Sequence, residues 1–275
     1  MGMALNHDPA WHPLIYGNPP AWASGWGEDR FGIFVEITIH NVVQRLRWIP
    51  PGEFLMGSSE GEPERFSDEG PQHQVILEQG FWLFDTACTQ ALWQEVMGDN
   101  PSQFKSPKHP VEQVSFGDVQ NFLQRINSWH PGLELTLPSE AQWEYACRAG
   151  TTTPFSFGAN ITPAQVNYNG NFPYANGAKG KYRETTVPVA SLPANHWGLY
   201  EMHGNVWEWC ADVWHDSYEG APTDGSARVG PSADRVVRGG SWNSDARFVR
   251  AAYRGRDGPA ICNADQGFRC ARVQS

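Results

Sequence analysis

Charge is scarce in this sequence: 18% of its 275 residues are Asp, Glu, Lys or Arg, with 30 acidic against 20 basic. The formal charge of −10 offers no basic surface to a phosphate backbone, which argues against a nucleic-acid partner. Long apolar runs are missing as well. No segment reads as a membrane span, and no basic-then-apolar opening reads as a signal peptide. The expectation is a cytoplasmic protein without a membrane partner, and a monomer by default because no apolar seam stands out. Cysteine is limited to Cys88, Cys147, Cys210, Cys262 and Cys270, with no CxxC spacing. Structural zinc and a secreted disulfide framework are therefore not expected. The nine histidines form no HxxxH or HxH pair, and Walker, GxGxxG and GxSxG motifs are absent.

What is present in quantity is Gly (28), Pro (21) and Trp (13). Such a chain can order its loops by burying aromatics, so a loop-rich folded domain is expected. Met1 to Pro20 carries no periodic pattern and reads as an arm laid over the domain. Trp22 to Asp29 reads as a turn-forming aromatic stretch. Phe31 to Ile39, Gln44 to Ile49, Glu53 to Gly57 and Gln74 to Leu83 read as strands, and the acidic Ser58 to Gly70 between them as a surface loop. Three helices are expected: Thr89 (N-cap) to Met97 with Gly98 as stop, Phe116 to Trp129 behind a Ser115/Asp118 capping box, and Glu140 to Ala149 behind Ser139. Thr151 to Asn195 is turn upon turn, and so long an irregular stretch calls for a functional or ionic reason.

The segment Arg235 to Val273 opens on Val236-Val237-Arg238-Gly239-Gly240 and closes on Gly267 to Val273, both strand-like. Between these ends lie small, polar and aromatic residues and a run of arginines, with at most a short helical turn over Ala246 to Ala252. A rigid frame around an unpatterned stretch is the arrangement of a binding face. The bland alternative is a terminal hairpin that completes a sheet. Upstream, Gly204 to Trp209 offers carbonyls and a carboxylate, with Glu201 one turn earlier, a set suited to a hard cation such as calcium. Its bland alternative is a tight turn with two core tryptophans. Cys262 is the one candidate nucleophile, and nothing in the sequence marks a base for it.

Five motifs in fixed order, WIPPGEFLMGS, LPSEAQWEYACRAG, GLYEMHGNVWEWCAD, RVVRGGSW and GFRCAR, closely resemble the formylglycine-generating enzyme (sulfatase-modifying factor) family from about Arg47 onward. The resemblance implies an α+β, loop-rich C-type-lectin-like fold with little regular secondary structure. It implies one domain over 46–275 and, over 1–45, an N-terminal arm and strand packed on it. It also implies calcium at Gly204, Val206 and Glu208, with Glu201 where the enzymes usually carry Asn. A second calcium site is put in doubt by Lys181. In the enzymes, cysteines matching Cys147 and Cys270 are bridged; a reducing compartment would leave them as thiols. The copper-binding cysteine pair of the oxidases matches Ser244 and Val249, neither of which can supply a thiolate, so no copper and no catalytic residue are expected. The sulfoxide-synthase branch needs an added helical domain with a histidine motif that this arm lacks.

A third branch fits better: the chain resembles the variable proteins of diversity-generating retroelements. In these, adenine-directed rewriting turns AAC codons into NNC, which cannot encode Glu, Lys, Met, Gln or Trp. None of those five occurs at Asn243, Ser244, Asp245, Phe248, Tyr253, Gly255, Asp257, Gly258, Ile261, Cys262, Asn263, Ala264 or Asp265, taken as the varied ligand-binding set within a segment of about 236–270. The implied partner is an unidentified protein or other macromolecule, and the residue types suit a paratope. The varied residues are expected on one solvent-facing patch, and Trp242, Arg247, Arg254 and Phe268 are expected to point inward or bond backbone carbonyls. The alternative function is a family enzyme, a copper-dependent oxidase or one working around Cys262 and Cys270.

Overall fold

Apolar–polar alternation in the first half of the chain builds an antiparallel meander. A computed structural model describes Leu14 and residues 19–273, and the rest of the expected N-terminal arm lies outside the described residues. Strand β1 (Gly25–Asp29) pairs with β2 (Gly32–Ile39), which pairs with β3 (Val42–Ile49). The aromatic stretch expected as a turn therefore supplies an edge strand: its glycines leave room for Phe34 of β2 to lie across Gly27. Strand β4 (Gly52–Met56) forms a separate two-stranded ribbon with β5 (His73–Leu77).

The run expected as one strand from Gln74 to Leu83 is two. Strand β6 (Phe81–Phe84) leaves the ribbon and pairs with β3. The break comes at Gly80, where a Cβ would sit 2.8 Å from the Ile49 carbonyl oxygen. Only a glycine lets the backbones cross that closely.

The three expected helices are present as α1 (Gln90–Met97), α2 (Phe116–Trp129) and α3 (Glu140–Arg148). Each starts where a hydroxyl accepts a free backbone N–H: Thr89 from Leu92, Ser115 from Asp118, Ser139 from Gln142. Gly98, at φ 90°, closes α1 in the left-handed conformation.

The remaining strands are β7 (Trp207–Val213), β8 (Arg235–Arg238), β9 (Arg254–Asp257), β10 (Gln266–Gly267) and β11 (Ala271–Val273). Strand β11 completes the first sheet in the order β1-β2-β3-β6-β11, and the others form a second sheet in the order β10-β7-β8-β9. Alternation along β6 sends Trp82 and Phe84 to one side, against Leu92 and Trp93 of α1 and Phe122 of α2. Phe81 and Leu83 go to the other side, against Trp143 and Cys147 of α3. Covering both faces buries each large side chain for about 1.5–3 kcal/mol, and it leaves the second sheet as the place where loops reach solvent.

Residues 151–195 contain no helix or strand, as expected. They are held by a third apolar cluster that includes Phe155, Tyr168, Tyr174 and Val249. The acidic loop Ser58–Gly70 departs from expectation: Glu69 is fully buried and ends a short 3-10 turn over Ser67–Glu69. Among the described residues no helix is long and apolar enough to cross a membrane.

Candidate ligand-binding surface

The C-terminal segment is built on buried arginines. In the β8–β9 pair, Arg238 lies opposite Arg254 and both side chains turn into the protein. Two cations so close need anions and acceptors to be buried at all. Arg254 makes a forked pair with Glu140 (2.6 and 2.9 Å) and donates to the carbonyls of Asp68 and His215. Its guanidinium lies 4.2 Å from the Tyr218 ring centroid and 4.5 Å from that of Trp214. Arg238 donates to Glu144 at 2.5 Å and to the carbonyls of Ala251, Ala252 and Tyr253, so one planar fork pins three consecutive peptides of the segment. Burial penalises the Glu140 carboxylate, but Arg254 and Arg238 outweigh it and hold the group below its ordinary range.

Arg250 and Arg269 repeat the pattern. Arg250 donates to Glu69 and, at 2.6 Å, to Glu62, which is why the acidic loop is drawn inward. Arg269 makes a forked pair with Glu208 (2.7 and 2.7 Å) and donates to the carbonyls of Phe84 and Tyr200. Replacing one partner of such a buried pair leaves an uncompensated charge at a cost of about 3–5 kcal/mol.

Between these anchors the chain turns outward. Gly239 and Gly240, at φ 93° and 69°, make the corner after β8. Beyond it, Asn243, Ile261, Cys262 and Asn263 are exposed. Asp245, Phe248, Tyr253, Asp257, Gly258, Ala264 and Asp265 are partly exposed. Phe248 packs edge-on to Tyr253 (5.0 Å between centroids), and both rest on Phe66 of the acidic loop.

Two members of the proposed varied set are constrained by what they pack against. Ser244 is 8% exposed, and its Oγ accepts the Ser241 N–H. Gly255 is paired with Val237 in the sheet, and an added Cβ would meet the Val237 side chain at 2.8 Å and the Trp207 ring at 3.1 Å. Among the residues expected to point inward, Arg254 and Phe268 do so and Trp242 is half-buried, donating from Nε1 to the Ala264 carbonyl. Arg247 is not: its side chain is 43% exposed and lies 4.4 Å over the Phe248 ring.

Other candidates fall in different places. Both Glu208 oxygens accept protein donors, Arg269 and the Trp143 indole N–H (2.7 Å), so a calcium ion at Glu208 would have to compete with a guanidinium already there. Glu201 accepts the Ala190 and Leu192 N–H groups, and burial raises its carboxyl to about 7. Among the described residues no three His, Cys, Asp or Glu side chains are grouped to hold a metal. Donors at this place thus fit calcium poorly.

Val249 is fully buried, and its carbonyl accepts from Nδ1 of His203 at 2.7 Å. His203 Nε2 then faces the Ser156 N–H (3.1 Å) and Oγ (3.0 Å), with Cys147 Sγ at 3.6 Å. Desolvation lowers this imidazole to about 4, and the group is sealed from solvent. It is a structural knot that the sequence did not reveal. Cys262 is exposed while Cys270 is fully buried next to Cys88, so those two do not form a shared accessible site. Cys147 and Cys270 are free thiols in different core clusters.

A cavity of 570 Å³ opens between the two halves of the surface. Asp68, Trp207, Trp214 and Asp216 line it from earlier in the chain, and Tyr253, Asp257, Asn263 and Asp265 line it from the C-terminal segment. Trp207 was legible only as half of a core pair; its neighbour Trp209 is fully buried, but Trp207 itself faces this cavity.

Known proteins share this architecture. A formylglycine-generating enzyme from Streptomyces coelicolor is 32% identical over 227 residues, 76% of this chain and 70% of that protein. Serine/threonine-protein kinase pkn1 of Chlamydia caviae is 31% identical over 266 residues, 86% of this chain. The match spans only 39% of that kinase's length. Treponema denticola variable protein 1 superposes with a TM-score of 0.74 at 24% identity, covering 88% of this chain and 99% of that one, which shows a common fold. The sulfatase-modifying factor enzyme 1-like domain matches residues 38–274. With that match and these buried ion pairs on the same stretch of sequence, the chain belongs to the sulfatase-modifying factor enzyme 1-like family.

Proposed function

We propose that this protein is a ligand-binding variable protein of a diversity-generating retroelement, displaying a diversified C-terminal surface to a macromolecular partner. One observation carries the reading: within a single segment, Arg238, Arg250, Arg254 and Arg269 are buried in ion pairs while the varied positions between them, Ser244 apart, are exposed or partly exposed. Stability is thereby separated from the surface that contacts a ligand, which is what a segment needs if it is to change sequence and still fold. Exposed or half-exposed Phe248, Tyr253 and Ile261, beside Asn and Asp, are the anchors and adaptable polar groups of a paratope. The common fold with the Treponema variable protein supports the reading.

The enzymatic alternative draws on the formylglycine-generating relatives. Against it stand Ser244 and Val249, which offer a hydroxyl and an isopropyl group where the resemblance calls for thiolates. The deciding assay incubates the protein with copper and a CxPxR peptide. No aldehyde should form, and measurable turnover would replace the binding reading with the enzymatic one. A second test is genomic: an adenine-rich near-copy of the terminal repeat beside a reverse transcriptase gene is expected next to this gene.

A further inference from the structure

The cavity between the halves of the surface has more anion than it can satisfy. Its lining includes Asp68, Asp216, Asp257 and Asp265 against Arg254 and Arg256. Both arginines are already committed: Arg254 is paired with Glu140, and Arg256 lies 3.4 Å from Asp216 and 3.8 Å from Asp234. Among the described residues no basic group pairs with Asp68, Asp257 or Asp265. Asp68 Oδ1 is buried without a hydrogen-bond partner.

A second, independent observation points the same way. Gln266, 1% exposed, lies behind the cavity wall with its amide N–H directed at the Asp257 carboxylate, and its Oε1 is buried without a partner. A buried amide oxygen in that state is destabilising unless something joins it. The walls are aromatic. Trp207 and Tyr253 stand 5.8 Å apart, and among the described residues no cation lies over either ring. A neighbouring site shows the solution the molecule itself uses: Arg254 is held by Glu140 with Trp214 and Tyr218 against its plane.

We propose that this cavity takes a cationic side chain, the guanidinium or ammonium group of an arginine or lysine on a protein ligand. The proposal rests on the binding-face reading and adds the ligand's chemistry. Carboxylates of Asp68 and Asp257 supply charge-assisted acceptors, and Trp207 with Tyr253 supplies π faces for a cation. Asp68, Trp207, Trp214 and Asp216 come from outside the varied set, so the preference for a cation belongs to the scaffold, while the varied residues tune which cationic ligand fits.

The test titrates ¹⁵N-labelled protein with N-acetyl-arginine methylamide, N-acetyl-lysine methylamide and the neutral isostere N-acetyl-citrulline methylamide. The reporter is the Trp207 indole N–H, assigned through Trp207→Phe. Saturable shifts are expected for arginine and lysine and at least tenfold weaker binding for citrulline. Asp68→Asn with Asp257→Asn should weaken the arginine probe at least tenfold with the melting temperature unchanged, and Asp257→Asn alone provides a milder variant. Equal binding of citrulline, or no effect of these substitutions in a folded protein, overturns the proposal. A random displayed-peptide library, panned on this protein and on a Phe248→Ala/Ile261→Ala variant, separates the two readings. Peptides captured by the native surface, lost on the variant and not enriched in Arg or Lys would defeat the cation and leave the binding face standing. Fragment binding at Trp207 with no peptide captured would support the cavity and defeat the binding face.

Discussion

Arg254 and Asp257 sit three residues apart on one strand, and they belong to different machines. Arg254 is 3% exposed and tied to Glu140, Asp68 and His215. Asp257 is partly open to a cavity and has no basic partner. The strand thus carries both a residue that holds the fold and a residue that lines the cavity. Division of labour in this segment is residue by residue, with the frame and the surface interleaved along the same backbone.

Breaking the frame should produce the largest effect. Arg238→Ala leaves Glu144 with Arg148 as its one remaining arginine and frees three buried carbonyls, and a loss of about 3–5 kcal/mol is expected in denaturant unfolding. A loss under about 1 kcal/mol would mean that the frame does not hold the segment. Next comes Gly255, the test of where the boundary runs. Gly255→Ser should cost about 1–3 kcal/mol, because the new Cβ meets Val237 and Trp207. A neutral result would return Gly255 to the freely varied set.

A buried carboxyl beside the frame adds a pH dependence. Asp212 accepts the Glu140 and Arg228 N–H groups, and desolvation followed by the nearby Glu140 charge raises it to about 7. The folded state therefore holds this proton more tightly than the unfolded chain does. Its contribution favours the fold at acid pH and is lost as pH rises from about 4 to about 7, with a slope of at most about 1.4 kcal/mol per unit. Asp212→Asn should flatten that part of the stability–pH curve, and an unchanged curve would refute the assignment. Chelation should have the smallest effect: Arg269 already compensates Glu208, so melting in excess chelator should match melting in calcium. A fall of several degrees in chelator would reinstate calcium at Gly204, Val206 and Glu208.

What the sequence disclosed and what it hid follow from range. Helix starts at Thr89, Ser115 and Ser139 were legible because a cap is a contact over three residues. The break at Gly80 was not, since it depends on β3 crossing the same spot. Acid residues between Ser58 and Gly70 looked solvated, yet Glu62 and Glu69 hold Arg250, some 180 residues downstream. No local pattern carries a pairing of that separation. In the site, the exposed positions Asn243, Ile261 and Asn263 were readable from residue type. The burial of Ser244, the close packing of Gly255 against Val237 and Trp207 and the outward turn of Arg247 were set by three-dimensional contacts that residue type does not announce. The cavity was hidden for the same reason, since part of its lining comes from Asp68, Trp207, Trp214 and Asp216.

The measurement closest to the central claim is a displayed library in which Asn243, Asp245, Phe248, Tyr253, Asp257, Ile261 and Asn263 are randomised together while the arginines stay fixed. It is sorted once for folding, by protease resistance, and once for binding to several unrelated proteins. Most clones should stay folded, because exposed substitutions typically change stability by about 0.5 kcal/mol or less, and different targets should select different residues at these positions. Widespread unfolding, or folded clones among which no target selects a distinct set, would contradict the claim.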